Sequence, residues 1–244
     1  MIVAGFHPVR EVLEKRSRAI ETLFVLRGRQ DKRASEIEDL ARASGVTVRP
    51  IAREELDRIA GKAHNGVAAR VAARDYDDVE ACLSGTPGSR LVVFLDQITD
   101  PGNLGAILRT AAAVGAAVVL LERHSAPLGE AASKASAGAL ERVTIARAGN
   151  ASQFLRRAKE AGFWVFGADS LGGSLWDTDL SGDVVLCLGS EGEGLRRLTR
   201  EECDHLVSIP MAEGAGSLNV SVAAGVLLYE IVRRRSRPEV PARK

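Results

Sequence analysis

The chain has 244 residues, 45% apolar, 27% charged and 4% aromatic, with a formal net charge of +1, which suits an ordinary globular protein and is too poor in aromatics for stacked recognition platforms. No apolar run reaches the roughly 18 residues of a bilayer span, and the start, MIVAGFHPVREVLEKR, lacks the basic region of a signal peptide, so neither is expected. Three cysteines, Cys82, Cys187 and Cys203, are odd in number and lack metal-ligand spacing, which points to a reduced cytoplasm rather than a disulfide framework or a metal centre.

Residues 1–73 read as a small α/β domain. GFHPVREVLEK and DKRASEIEDLARASG have helical spacing, and TLFVLRG, VTVRP and GVAARVA are short β-rich runs. Residues 1–75 hold 15 Lys/Arg against 11 Asp/Glu, a net +4, whereas 76–244 hold 18 against 21, a net −3. A basic part beside an acidic remainder is compatible with a grip on nucleic acid. Residues 74–89 hold acidic residues, Gly, Pro and Ser and read as a linker with room for one short helix.

From residue 90 strands and helices alternate. LVVFLD, AVVLLE, RVTIAR, FWVFGAD, VVLCLGS and HLVSIP are continuous apolar runs, as in parallel strands covered on both faces. NLGAILRTAAAVG, GEAASKASAGALE, ASQFLRRAKEAG and SVAAGVLLYEIVRRR are the helices between and after them, and in the last Val222, Val226 and Tyr229 mark one buried face. The architecture is a doubly wound α/β domain, in which ligands bind beyond the carboxyl ends of the strands.

Three segments follow strand ends. DPGNLGAILRT sets Asn103 and Arg109 among small residues. LCLGSEGEGL offers the backbone of Gly189, Ser190 and Gly194 around Glu191; its G-x-x-G-x-G spacing is not the dinucleotide fingerprint. IPMAEGAGSLNVSVAAG carries Ile209, Met211, Ser217, Leu218 and Asn219 into the last helix. Taken singly, each has a plain structural reading: Asn103 caps a helix and Arg109 pairs with a surface carboxylate, and Ser217 or Asn219 caps the last helix. His7, His64 and His124 read as structural or RNA-facing, His205 as a surface residue, and the basic tail RRRSRPEVPARK as frayed and able to touch RNA phosphate.

Together, in order and spacing, the three segments resemble the signature motifs of the SpoU (TrmH-type) RNA ribose 2′-O-methyltransferases. RHSAPLGEAASKASAGALE resembles the segment that joins the first two motifs in that family. VAGFHPVREVLE and HNGVAARV resemble the ribosomal-protein-like substrate domain of members acting on large-subunit rRNA. The resemblance implies a parallel-sheet SPOUT domain whose C-terminal part is tied in a trefoil knot near residues 188–219, plus the small N-terminal α/β domain. It implies S-adenosylmethionine held by Gly189, Ser190, Gly194, Ile209, Met211 and Leu218, catalysis by Asn103, Arg109, Glu191, Ser217 and Asn219, and a homodimer. The sulfonium donor carries its own activating charge, so no metal is required, and the expected substrate is a guanosine of 23S rRNA. A tRNA or resistance-type rRNA methyltransferase, or a catalytically silent RNA-binding assembly factor, are the alternatives. The family describes Arg109 as the base; because a guanidinium is normally a donor only, phosphate binding and alkoxide stabilisation stay open for it, with Glu191 or water taking the proton.

Overall fold

The computed structural model describes residues 1–29, 31–214 and 216–235. They form two compact units. The first joins residues 1–75 to 104–109 and 127–142; the second holds 76–103, 110–126 and the chain from 143 onward.

The first unit is built on a mixed sheet of β1 (Ile2–Ala4), β2 (Ile20–Leu26), β3 (Val48–Ile51) and β4 (Val67–Val71), in the order β1-β4-β2-β3. Helices α1 (Phe6–Arg16) and α2 (Lys32–Ala43) bury Val9, Val12, Leu13, Ile37 and Ala41 on one face of it. Helix α3 (Arg53–Ala60) covers the other with Leu56 beside Phe24 and Ile51. Of these, β1 and α3 escape sequence reading, because β1 is three residues long and REELDRIA buries Leu56 alone. His64 is structural: its Nε2 faces Asp57 Oδ1 at 2.8 Å, and its Nδ1 accepts from the Gly66 backbone N–H at 2.8 Å. This fixes the neutral ring with its proton on Nε2.

Residues 127–142 pack in this first unit. GEAASKASAGALE is not one helix. A short helix, Glu130–Ala135, breaks at Ala137 and Gly138, both at positive φ, and a 3-10 turn follows at Ala139–Glu141. The break lets the chain approach α1 closely: a Cβ on Gly138 would lie 2.9 Å from Glu11 Cγ and 3.2 Å from Pro8 Cα. Ile2 N–H donates to Glu130 at 2.6 Å, and the buried Glu141 carboxylate pairs with Arg16 at 3.0 Å.

The second unit is a six-stranded parallel sheet with the order β10-β8-β9-β5-β6-β7. Its strands are β5 (Leu91–Asp96), β6 (Ala117–Leu121), β7 (Ile145–Ala148), β8 (Trp164–Ser174), β9 (Val184–Gly189) and β10 (His205–Ser208). A short helix, α4 (Val79–Leu83), lies within the segment read as a linker. Helix α5 (Pro101–Val114) has residues in both units, α6 (Glu130–Ala135) is the short helix of the first unit described above, and the second unit adds α7 (Ala151–Glu160), α8 (Arg197–Glu202) and α9 (Val220–Arg235).

The expected buried face of α9 needs correction. Val222 is 51% and Tyr229 56% exposed, and the helix instead buries Val220, Ala224, Leu227, Leu228 and Ile231. The helix has two apolar stripes, and the packing against the sheet uses the other one. Nor is the basic start of the tail free. Arg233 and Arg234 pair with the buried Glu230, and Arg235 donates to the carbonyls of Ser89, Arg90 and Gly182. The rest of the tail lies outside the described residues. No helix among them is long and apolar enough to cross a membrane.

Candidate active site

All six strands of the second unit run the same way, so the loops after β5, β9 and β10 leave from one edge of the sheet. Each begins where an apolar strand ends, at Asp96, Gly189 and Ser208. The three segments singled out in the sequence are these loops.

After β5, Asp100 rather than Asn103 caps α5, accepting from the Asn103 backbone N–H at 2.7 Å. The Asn103 side chain is thereby free of capping duty, and its Nδ2 donates to Glu191 Oε1 at 3.1 Å. Asn219 does two jobs. Its Oδ1 accepts from the Ser221 backbone N–H at 2.9 Å at the start of α9, and its Nδ2 donates to Asn103 Oδ1 at 2.9 Å and to Glu191 Oε1. Residues 88 and 116 positions from Asn103 are thus tied to it in one polar cluster.

Glu191 rides on a tightly folded loop. Ser190 and Gly194 exchange two backbone hydrogen bonds, at 3.1 and 3.0 Å. A Cβ on Gly189 would collide with the Gly194 and Leu195 backbone, so glycine is required there by close approach. The loop borders a cleft of about 660 Å³ lined by Gly189, Ser190, Glu191, Gly194, Ile209, Met211, Ser217 and Leu218 among others. All six residues expected to hold a cofactor line it. Met211 and Leu218 are large apolar side chains left 42% and 38% exposed. Asp169, Glu193 and Arg200 also line it, and sequence reading missed them. Asp169 and Arg200 pair with each other, leaving the acids Glu191 and Glu193 unbalanced there. An apolar wall with acidic groups and backbone suits S-adenosylmethionine, a cationic nucleoside, and the volume is ample for it.

Ser217 is exposed and stands in the cleft wall. Arg109 is an exposed residue of α5, and among the described residues no carboxylate forms an ion pair with it. Six residues of α-helix turn through about 600°, which puts Arg109 roughly 120° around the axis from Asn103 and about 9 Å along it. The two therefore do not share a helix face. No group of three or more His, Cys, Asp or Glu among the described residues is arranged to hold a metal.

Comparison with known proteins accounts for this arrangement. Residues 90–229 match the SpoU rRNA Methylase family, and residues 2–77 match a family described as RNA 2′-O ribose methyltransferase substrate binding. A 23S rRNA (guanosine-2′-O-)-methyltransferase RlmB of Xanthomonas campestris is 42% identical over 239 residues, covering 96% of both chains. The Escherichia coli K12 protein of that name is 39% identical over 240 residues, covering 96% of this chain and 99% of its own. Among solved structures, the SpoU methyltransferase AviRb from Streptomyces viridochromogenes, in complex with AdoMet, superposes with a TM-score of 0.81 at 29% identity, over 96% of this chain and 90% of that one. An AdoMet-bound rRNA methyltransferase from Sinorhizobium meliloti gives 0.81 at 28% identity, over 97% and 88%. Two motif-bearing loops joined through Glu191, a third that supplies Asn219, and a profile match across 90–229 make this chain a member of the SpoU rRNA methylase family.

Proposed function

We propose that this RNA ribose 2′-O-methyltransferase acts, with S-adenosylmethionine, on a guanosine of 23S rRNA, in the cytoplasm and as a homodimer. The observation that carries the site is the Asn103–Glu191–Asn219 cluster, whose Glu191 lines the cleft. The name shared by the Xanthomonas and Escherichia relatives supports the substrate.

S-adenosylmethionine, when bound, supplies a methyl group made electrophilic by the sulfonium charge. The residues of the chain must then orient a weakly acidic hydroxyl and manage its proton. Glu191 Oε1 is occupied by two amide donors, which fix the carboxylate; its second oxygen, Oε2, is left to accept the ribose proton. Asn103 and Asn219 hold that geometry without adding charge, and Ser217 lines the cleft to orient the ribose. Arg109 acts as donor: an exposed guanidinium that forms no ion pair among the described residues is suited to the flanking phosphate and to the developing alkoxide. Gly189, Ser190, Gly194, Ile209, Met211 and Leu218 hold the cofactor. The basic residues 1–75 engage RNA. The stripe of α9 that holds the exposed Val222 and Tyr229 and the half-buried Val226 is the face a second copy covers, and residues 188–219 form the knot.

The test is ribose-methylation mapping of 23S rRNA from a strain lacking the gene. One 2′-O-methylguanosine should disappear and return when purified enzyme and S-adenosylmethionine are added to the unmodified RNA. An unchanged 23S map with a loss in tRNA would remove the rRNA assignment.

A further inference from the structure

Asp96 is the last residue of β5, and it is completely buried. A buried carboxylate is costly unless it is paired and hydrogen-bonded. Both of its oxygens are taken by one residue: Oδ2 accepts from the Arg196 backbone N–H at 3.1 Å and Oδ1 from Arg196 Nε at 2.6 Å. Arg196 stands at the foot of the Glu191 loop. The loop leaves β9 at Gly189, which pairs in register with Asp96, closes on itself through Ser190 and Gly194, drops Leu195 into the core, and ends at Arg196 as α8 begins. On the other side of Asp96 the chain turns sharply. Gln97 has a φ of 63°, a left-handed conformation that a non-glycine residue adopts at some energetic cost. Three residues later Asp100 caps the helix that carries Asn103.

One carboxylate therefore joins the strand end that leads to Asn103 and the loop foot that supports Glu191. Glu191 itself is exposed on the loop, where the side-chain amides of Asn103 and Asn219 donate to it. We infer that Asp96 is a positioning residue for methyl transfer: acting through Arg196, it sets the height of the 190–195 loop at which Glu191 meets Asn103 and Asn219. The inference rests on the catalytic reading of Glu191. Were Asp96 a stabiliser of the fold alone, its loss would lower melting temperature and leave the turnover of the folded enzyme intact.

The experiment uses the full-length protein. Asp96→Asn preserves size and one acceptor but presents an N–H₂ group to one of the two Arg196 donors. We expect a folded enzyme, a KM for RNA within threefold of wild type, and a kcat about 30- to 100-fold lower, the scale on which a misplacement of about 1 Å acts. Arg196→Ala removes a half-buried side chain while keeping the backbone N–H on Asp96, and should produce the same split even where Asp96→Asn folds poorly. Arg196→Lys, which retains the backbone donor and a cation, should recover part of kcat. In a Glu191→Ala background, adding Asp96→Asn should cost less than threefold further, because the two act as one unit. A kcat within threefold of wild type for folded Asp96→Asn and Arg196→Ala overturns the inference, as does a full additive loss in the Glu191→Ala background. If Glu191→Ala itself turns over at the wild-type rate, the catalytic reading fails first and the inference falls with it, a result distinguishable from the others.

Discussion

Arg109 is exposed on a helix otherwise composed of small and apolar residues. An exposed side chain that forms no ion pair among the described residues contributes little to stability, so Arg109→Ala should melt like wild type and bind S-adenosylmethionine normally. Its single-turnover methylation should be about 10²–10³-fold slower, the usual loss when a charge-stabilising donor is removed. Arg109→Lys should not recover fully, since lysine lacks the planar fork. Single-turnover assays on unmodified rRNA check this, and a rate within threefold of wild type for Arg109→Ala would return the residue to the surface. What was legible at this scale was residue type after a strand end: Asn103, Glu191 and Asn219 stood out as polar groups among glycines and small apolar residues. Their sharing of one carboxylate oxygen was not, because 88 and 116 positions separate them from Asn103. Asp96 was overlooked because a single acid at the end of LVVFLD looks like the first residue of a surface loop, and only the structure shows it fully buried.

Helix α9 is held at its end by Glu230, whose carboxyl is drawn down to about 2 from 4.5, chiefly by hydrogen bonding to Arg233, with Arg234 adding to it. Its folded pKa lies below the unfolded value, so the stabilisation is complete above about pH 4.5 and is lost as pH falls toward 2. Glu230→Gln should therefore lower the melting temperature at pH 7 by several degrees, on the order of 1.5–3 kcal/mol for hydrogen bonds to a charged group. That difference should shrink steadily between pH 4.5 and 2, and thermal melts across the range measure it; a pH-independent difference would contradict the ion-pair account. Elements with a continuous apolar pattern were readable: β5, β9 and α7 lie within a residue or two of their sequence assignments. The misread ones fail for physical reasons. GEAASKASAGALE has helical composition, yet its middle turns through positive φ at Ala137 and Gly138 to meet α1. In α9 an apolar stripe was visible, but periodicity does not say which of two stripes faces the sheet.

At the scale of the whole chain, the first compact unit is not a simple N-terminal segment, since it takes in residues 127–142 from the middle of the sequence. A chain beginning at Ser89 would strip α1 from that segment. It would leave the buried Glu141 without Arg16, and breaking a buried pair costs roughly 3–5 kcal/mol. Such a chain should melt about 10 °C or more below the full-length protein, and at fixed salt its affinity for rRNA should fall, since the +4 part is gone. Calorimetry and filter binding check the two effects; an unchanged melting temperature would mean that 127–142 is stable by itself. Periodicity carried the parallel sheet, but strand order and the shared packing of distant segments depend on contacts that no local pattern encodes. The interleaving also has a bearing on synthesis. When residue 75 has left the ribosome, the layer formed by residues 1–75 still waits for 67 more residues before its complement, ending at Arg142, exists. At about 5–20 residues per second that is roughly 3–13 seconds. For that time the underside of α1, with Pro8 and the charged Arg16, faces solvent or a chaperone, so the order of translation makes this the stretch of the chain most open to early misassociation.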